Sequence, residues 1–134
     1  MKKIIATPKA PAAIGPYSQA IYANDTLYVS GQLPVNPATG EIPATIEEQT
    51  RQALTNIGNI LEAAGLGFND VVKTSVLLSD INDFAAMNAV YAEFFPEDKP
   101  ARVCYQVAAL PKGAKTEIDA IAFYNMPISC SEGE

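Results

Sequence analysis

Between Ile46 and Leu78 the hydrophobic pattern changes period, and that change limits the folds this chain can reach. Ala53, Leu54, Ile57, Ile60, Leu61 and Ala64 recur at helical spacing. Glu47 and Glu48 stand early, where a helix N-terminus favours negative charge, and Gly65 stops the run. Val71 to Leu78 follows as a β-branched, mostly apolar run whose length suits a central strand covered on at least one face. A second helical stripe then reads Phe84, Met87, Asn88, Tyr91, Phe94 and Phe95, with Asp80 or Asn82 as cap and Pro96 and Pro100 beyond its end.

Strands are expected on both sides of this block. Residues 1 to 6 suit a short strand, after which Pro8, Pro11, Gly15 and Pro16 exclude regular structure until Tyr17. Ser18 to Ala23 and Thr26 to Ser30, joined by Asn24-Asp25, read as a β-hairpin. Gly31 to Thr45 carries Pro34, Pro37, Gly40 and Pro43 and reads as a long loop, a kind of segment often found beside a functional site. Ala101 to Ala108 and Lys115 to Tyr124 supply two further strands around Leu110-Pro111-Lys112-Gly113. The order ββ(β)αβαββ predicts an α+β fold: a single mixed sheet with two helices on one face. At 134 residues the chain fits one domain, assigned to 1–125, and the polar segment 126–134 reads as a disordered tail. A domain this small leaves much of its surface unburied, so a deep pocket is expected between subunits.

The chain contains no histidine, which removes the usual general base and the commonest transition-metal ligand. Ser-His and Cys-His nucleophilic schemes are excluded. Two cysteines, with neither CxxC nor HExxH spacing, give a zinc site nothing to start from, so no metal is expected. Cys104 lies in an apolar segment and Cys130 in the polar tail, and both read as free thiols of a reducing compartment. Nine basic against 15 acidic residues give a net charge of −6 with no run of Lys or Arg, which disfavours nucleic acid as a partner. No stretch approaches the roughly 20 apolar residues of a membrane span, and prolines follow Met1-Lys2-Lys3-Ile4-Ile5 where a leader would continue. The expectation is a cytoplasmic protein without a membrane partner.

Several polar residues fall at positions where chemistry is possible. Alternation places Arg102 with Cys104 and Gln106 on one face of a strand and Val103, Tyr105 and Val107 on the other. A guanidinium fork on a rigid strand suits a carboxylate ligand, and a structural ion pair is the competing reading. Glu117 and Asp119 share a strand face with Ile121 and Phe123; they either edge the sheet in solvent or orient and deprotonate water. Asn88 lies on the apolar stripe of the second helix and needs a partner there, either loop backbone or ligand. Ser30-Gly31 ends a strand where glycine lets a backbone amide approach an anion, although many such glycines merely turn the chain. Tyr17 is either core or pocket wall.

Ile14-Gly15-Pro16-Tyr17-Ser18-Gln19-Ala20, SGQLPVNPATGEI from Ser30, NDFAAMNAVYAEFF from Asn82 and PARVCYQVAALPKGAKTEIDAIA from Pro100 together resemble the RidA/YjgF-type Rid family. The match runs from residue 2 to about 124 with its motifs in order; it departs at Val103, where many members carry serine, and in the added tail. The resemblance implies a chorismate-mutase-like subunit of a homotrimer with clefts between chains, and hydrolysis of small 2-imino acids to 2-keto acids and ammonia without a cofactor. It further implies that Arg102 holds the substrate carboxylate and Glu117 positions water, with Tyr17, Ser30, Gly31, Asn88 and Cys104 lining the pocket. Two other functions stay open at this point: a trimer that binds keto acids without turning them over, and a ribonuclease or translation inhibitor.

Overall fold

The computed structural model describes residues 1–124. The segment 126–134 and Cys130 lie outside the described residues. Six strands form one sheet: β1 (Lys2–Ile5), β2 (Ala20–Ala23), β3 (Thr26–Gln32), β4 (Val71–Leu78), β5 (Ala101–Gln106) and β6 (Thr116–Phe123), in the order β1-β2-β3-β6-β4-β5. Every pairing is antiparallel except β4 with β5. Parallel neighbours need a crossover, and α2 (Phe84–Phe94) supplies it; α1 (Ile46–Ala63) makes the corresponding connection from β3 to β4, with β6 inserted between them. The expected α+β architecture, a mixed sheet with two helices, is what forms.

Alternation along the two interior strands decides which side chains meet the helices. On β4, Thr74, Val76 and Leu78 are buried; on β6, Thr116, Ile118, Ala120 and Ala122 are. They pack against Ala53, Leu54, Ile57, Ile60 and Leu61 of α1 and Met87 and Tyr91 of α2. Among the described residues, the opposite face carries no helix. Tyr28, Val103, Tyr105 and Phe123 stand on it between 41% and 53% exposed, an apolar surface that antiparallel and mixed sheets can leave uncovered.

The strand boundaries differ slightly from the sequence reading. β2 begins at Ala20 and not at Ser18, and the side-chain amide of Gln19 turns into the N-terminal loop, where it accepts from the Thr7 amide and donates to the carbonyls of Thr7, Ala10 and Pro11. β3 runs on through Gly31 to Gln32 across an irregularity in its pairing with β6. Asp80 does cap, but it caps a single 3-10 turn, Ile81–Asp83, that leads into α2.

The long loop is ordered by polar residues on the buried face of α1. Asn56, fully buried, donates to the Leu33 and Val35 carbonyls at 3.2 and 3.0 Å and accepts from Gln52. Gln49 donates to the Pro43 carbonyl and accepts from the Lys115 amide, tying the loop to β6. Asn56→Ala leaves two carbonyls without their donor, for a cost of about 1–3 kcal/mol. Urea denaturation reads that cost, and hydrogen exchange should accelerate first at the Asn36 and Gly40 amides, whose bonds close the loop's own turn; unchanged exchange there would show that Asn56 does not hold the loop.

Candidate functional site

The sequence contains two arginines, and the fold uses them differently. Arg51 on α1 makes a two-pronged, solvent-exposed pair with Glu93 of α2, at 2.8 and 3.3 Å. Arg102 on edge strand β5 meets no carboxylate among the described residues. It points to the helix-covered side of the sheet, beside its register partner Thr74, and its Nη1 donates to Asn88 Oδ1 at 2.7 Å. Asn88 thus spends its amide oxygen on the guanidinium and not on loop backbone. Tyr91 and Phe84 complete the surroundings, with ring centres 4.8 and 5.6 Å from the guanidinium carbon. Phe84, Asn88 and Tyr91 are spaced i, i+4, i+7, so one stripe of α2 presents all three to Arg102.

Cys104 follows two residues along the same face and is partly buried. Burial pushes its thiol pKa up, and the nearby Arg102 cation offsets this only in part. A thiol kept protonated is a poor nucleophile, which fits the lining role expected of it.

Glu117 stands on the other side of the sheet. It is the register partner of Leu77, one position out of phase with the buried Val76 and Leu78, so it projects from the uncovered face, as Asp119 does. Burial, and secondarily the negative charge of Asp119, hold its carboxyl pKa above the ordinary value. Asp119 itself accepts from the Ser75 amide at 3.0 Å. Gly31 lies directly against Glu117: a Cβ at this position would overlap Oε2 and approach Cδ to 2.9 Å. Glycine here leaves its side-chain space to the Glu117 carboxylate, which would have to shift for any larger residue. Ser30, beside it, donates through Oγ to the Ser18 carbonyl at 2.6 Å while its amide donates to Gln19. Those bonds fasten the segment carrying Tyr17, and Tyr17 and Gly31 line a cleft of about 530 Å³ together with loop residues such as Leu33 and Pro111.

The expected site residues thus form two groups. Arg102, Asn88 and Cys104 gather under α2; Tyr17, Ser30, Gly31 and Glu117 gather at the β3–β6 side, and the sheet separates the two sets within one chain. Sequence reasoning took Phe84 and Tyr91 for core and passed over Thr74. The signal was the helical stripe they share with Asn88, but only the placement of β5 beneath α2 makes it a cradle.

The family described as endoribonuclease L-PSP matches residues 7–124. A goat (Capra hircus) protein named 2-iminobutanoate/2-iminopropanoate deaminase is 58% identical over 123 residues, covering 91% of this chain and 90% of the relative. Among solved structures, the Escherichia coli YjgF gene product superposes with a TM-score of 0.89 at 52% identity, covering 92% of this chain and 99% of that one. E. coli TdcF with bound serine also gives a TM-score of 0.89, at 48% identity and the same coverage.

Gly31→Ala should cost about 1–3 kcal/mol of stability through overpacking against the carboxylate. In a Glu117→Ala background the same substitution should cost almost nothing, since its obstacle is gone. Urea denaturation of the four proteins measures the coupling, and equal costs in both backgrounds would refute the contact as the reason for glycine.

Proposed function

The chain belongs to the endoribonuclease L-PSP family, which is the Rid family its motifs resemble, and on that footing we infer that it is a deaminase hydrolysing 2-imino acids such as 2-iminobutanoate and 2-iminopropanoate to 2-keto acids and ammonia. The observation that carries this reading to the site is Arg102: a half-buried guanidinium held by a neutral amide and two aromatic rings, its charge unneutralised by any carboxylate among the described residues. Such a group suits the carboxylate of a small acid, which it can grip through two parallel hydrogen bonds. TdcF, a relative, is known with a bound serine, which carries that same group.

The chemistry asks little beyond placement. A protonated imine carbon is already electrophilic, and fixing substrate and water together removes most of the entropic barrier. With the carboxylate on Arg102, Glu117 takes a proton as water attacks the imine carbon, giving a carbinolamine. The carboxyl returns that proton to the nitrogen, the C–N bond breaks, and the hydroxyl proton leaves as the ketone forms, so iminium and water become keto acid and ammonium. The raised pKa of Glu117 suits a group that must both accept and return a proton.

Arg102 and Glu117 project from opposite faces of one sheet, so a single subunit cannot bring both to one small substrate. The cleft forms between copies of the chain, Arg102 from one and Glu117 from its neighbour. A homotrimer is the assembly that accords with this: the uncovered face with Tyr28, Val103, Tyr105 and Phe123 is apolar enough to close into a ring of repeated, heterologous contacts. The compartment is the cytoplasm, consistent with a chain in which, among the described residues, no helix is long and apolar enough to cross a membrane. The family description names RNA cleavage, but a net charge of −6 gives phosphates no basic surface to bind.

Two experiments test this. With 2-iminobutanoate generated in situ and trapped by semicarbazide, the wild type should accelerate imine loss. Glu117→Ala should lower kcat/KM by about 10²–10⁴-fold, and Arg102→Ala should raise KM roughly ten- to hundredfold. Co-refolding those two impaired variants, assayed at substrate well below the wild-type KM, should restore roughly a quarter of the wild-type sites, the fraction of interfaces with both intact residues; no recovery would reject a shared cleft. In the second, the pH profile of kcat/KM, corrected for uncatalysed loss, should fall on the acid side as Glu117 protonates, at a pH above the ordinary carboxylate range. Asp119→Asn keeps the acceptor for the Ser75 amide but removes a negative neighbour that raises the Glu117 pKa, so the acid limb should move to lower pH. A limb that stays in place would exclude Asp119 as a tuning charge.

A further inference from the structure

Thr74 is the polar exception on the inner face of β4. Its neighbours on that face, Val76 and Leu78, are aliphatic, and it is fully buried, where an unbonded hydroxyl is costly. Its hydroxyl meets the Tyr91 hydroxyl at 2.7 Å. Tyr91 is itself buried, and its ring is wedged against Phe95 with centres 4.7 Å apart, so neither end of the side chain is free to swing. The ring anchored in this way is the one that lies 4.8 Å from the Arg102 guanidinium carbon. Thr74 is also the backbone register partner of Arg102. Strand pairing, hydroxyl bond and ring contact therefore close a circuit from Arg102 through β4 and α2 back to Arg102.

A single hydrogen bond, from Nη1 to Asn88, leaves the guanidinium free to turn about that contact. A ring whose centre lies 4.8 Å from the guanidinium carbon restricts that turn, and an aromatic quadrupole does so while leaving the positive charge unneutralised. We propose that Tyr91, anchored by Thr74, is a positioning residue that sets the plane of the Arg102 fork for its grip on the substrate carboxylate. This rests on the assignment of Arg102 as the carboxylate clamp. Thr74 and Tyr91 do not touch substrate; they act through Arg102. Among the described residues every orienting contact is neutral, so the cation reaches the ligand with its charge and four of its five N–H donors uncommitted.

The test reads Arg102 directly. With two arginines in the chain, the guanidinium nitrogens are assignable by 15N NMR using Arg51→Lys. In wild type, hindered rotation should give separate Nη signals for Arg102. Tyr91→Leu should merge them, raise KM about 3- to 30-fold with kcat within about twofold, and weaken binding of the product 2-oxobutanoate by a similar factor. Thr74→Val with Tyr91→Met leaves no orphan hydroxyl and fills the core without a ring; it should behave like Tyr91→Leu even if the latter folds poorly. Thr74→Val with Tyr91→Phe retains the ring and should restore separate signals and KM to within about threefold of wild type. Separate Nη signals and unchanged KM and 2-oxobutanoate affinity in the ringless, folded double variant would overturn the proposal. Should the wild type fail to hydrolyse imine at all, the deaminase reading falls, while the Nη spectrum and 2-oxobutanoate affinity still decide the role of Tyr91.

Discussion

The period-two alternation along β4 and β6 is the constraint on which everything else in this molecule depends. Thr74, Val76 and Leu78, with Ile118, Ala120 and Ala122, must face the helices, because burying that apolar surface at roughly 25 cal/mol per Å² is what drives the domain to fold. A slip of one residue would turn the whole set outward. Once that register is fixed, Glu117 and Asp119 have no choice but to stand on the opposite face, and Arg102, paired with Thr74, none but to stand under α2. The separation of the two site groups therefore follows from the core.

Polar groups inside the same core do a second job. Gln19, Gln49 and Asn56 are each buried, and each spends its amide on backbone carbonyls or amides of irregular chain: residues 7–11, Pro43 and Lys115, and Leu33 with Val35. Proline-rich loops cannot satisfy their own backbone through a ladder, and side chains on a helix or at a strand end do it for them. This is how a segment rich in Pro34, Pro37 and Pro43 becomes a wall for the cleft containing Tyr17 and Gly31.

Much of the architecture was legible because periodicity is a local property. The stripe on α1, the run Val71–Leu78 and the facing of Arg102 against Val103 could be read from spacing alone, and the motifs around Tyr17, Ser30 and Arg102 pointed to a family on their own. What spacing could not supply was pairing. That β5 lies parallel to β4 and beneath α2 is a long-range fact, and without it Tyr91 reads as core, Thr74 as an unremarkable strand residue and Asn88 as a helix amide in search of a loop. Gly31 shows the same limit: its sequence context left a turn or a close approach to an anion open, and only the fold shows that the Glu117 carboxylate, 86 positions away in the chain, fills the space it leaves.

The contrast between Arg51 and Arg102 shows why the second can do chemistry. Arg51 has its carboxylate beside it, and a solvent-exposed pair of that kind contributes little to stability. Had Glu117 been placed on the Arg102 face of the same subunit, the two would attract by about 4 kcal/mol at 4 Å in a medium of effective dielectric 20, and a ligand would have to displace that attraction. The sheet keeps them apart within the chain, and in the proposed trimer they approach from different subunits with a substrate between them. A protonated 2-imino acid carries a carboxylate and, on the adjacent carbon, a cationic nitrogen, matching the charges of Arg102 and Glu117 in sign. The keto acid product has lost the cation and with it the attraction to Glu117, so the charge pattern that gathers the substrate also weakens the hold on what it becomes.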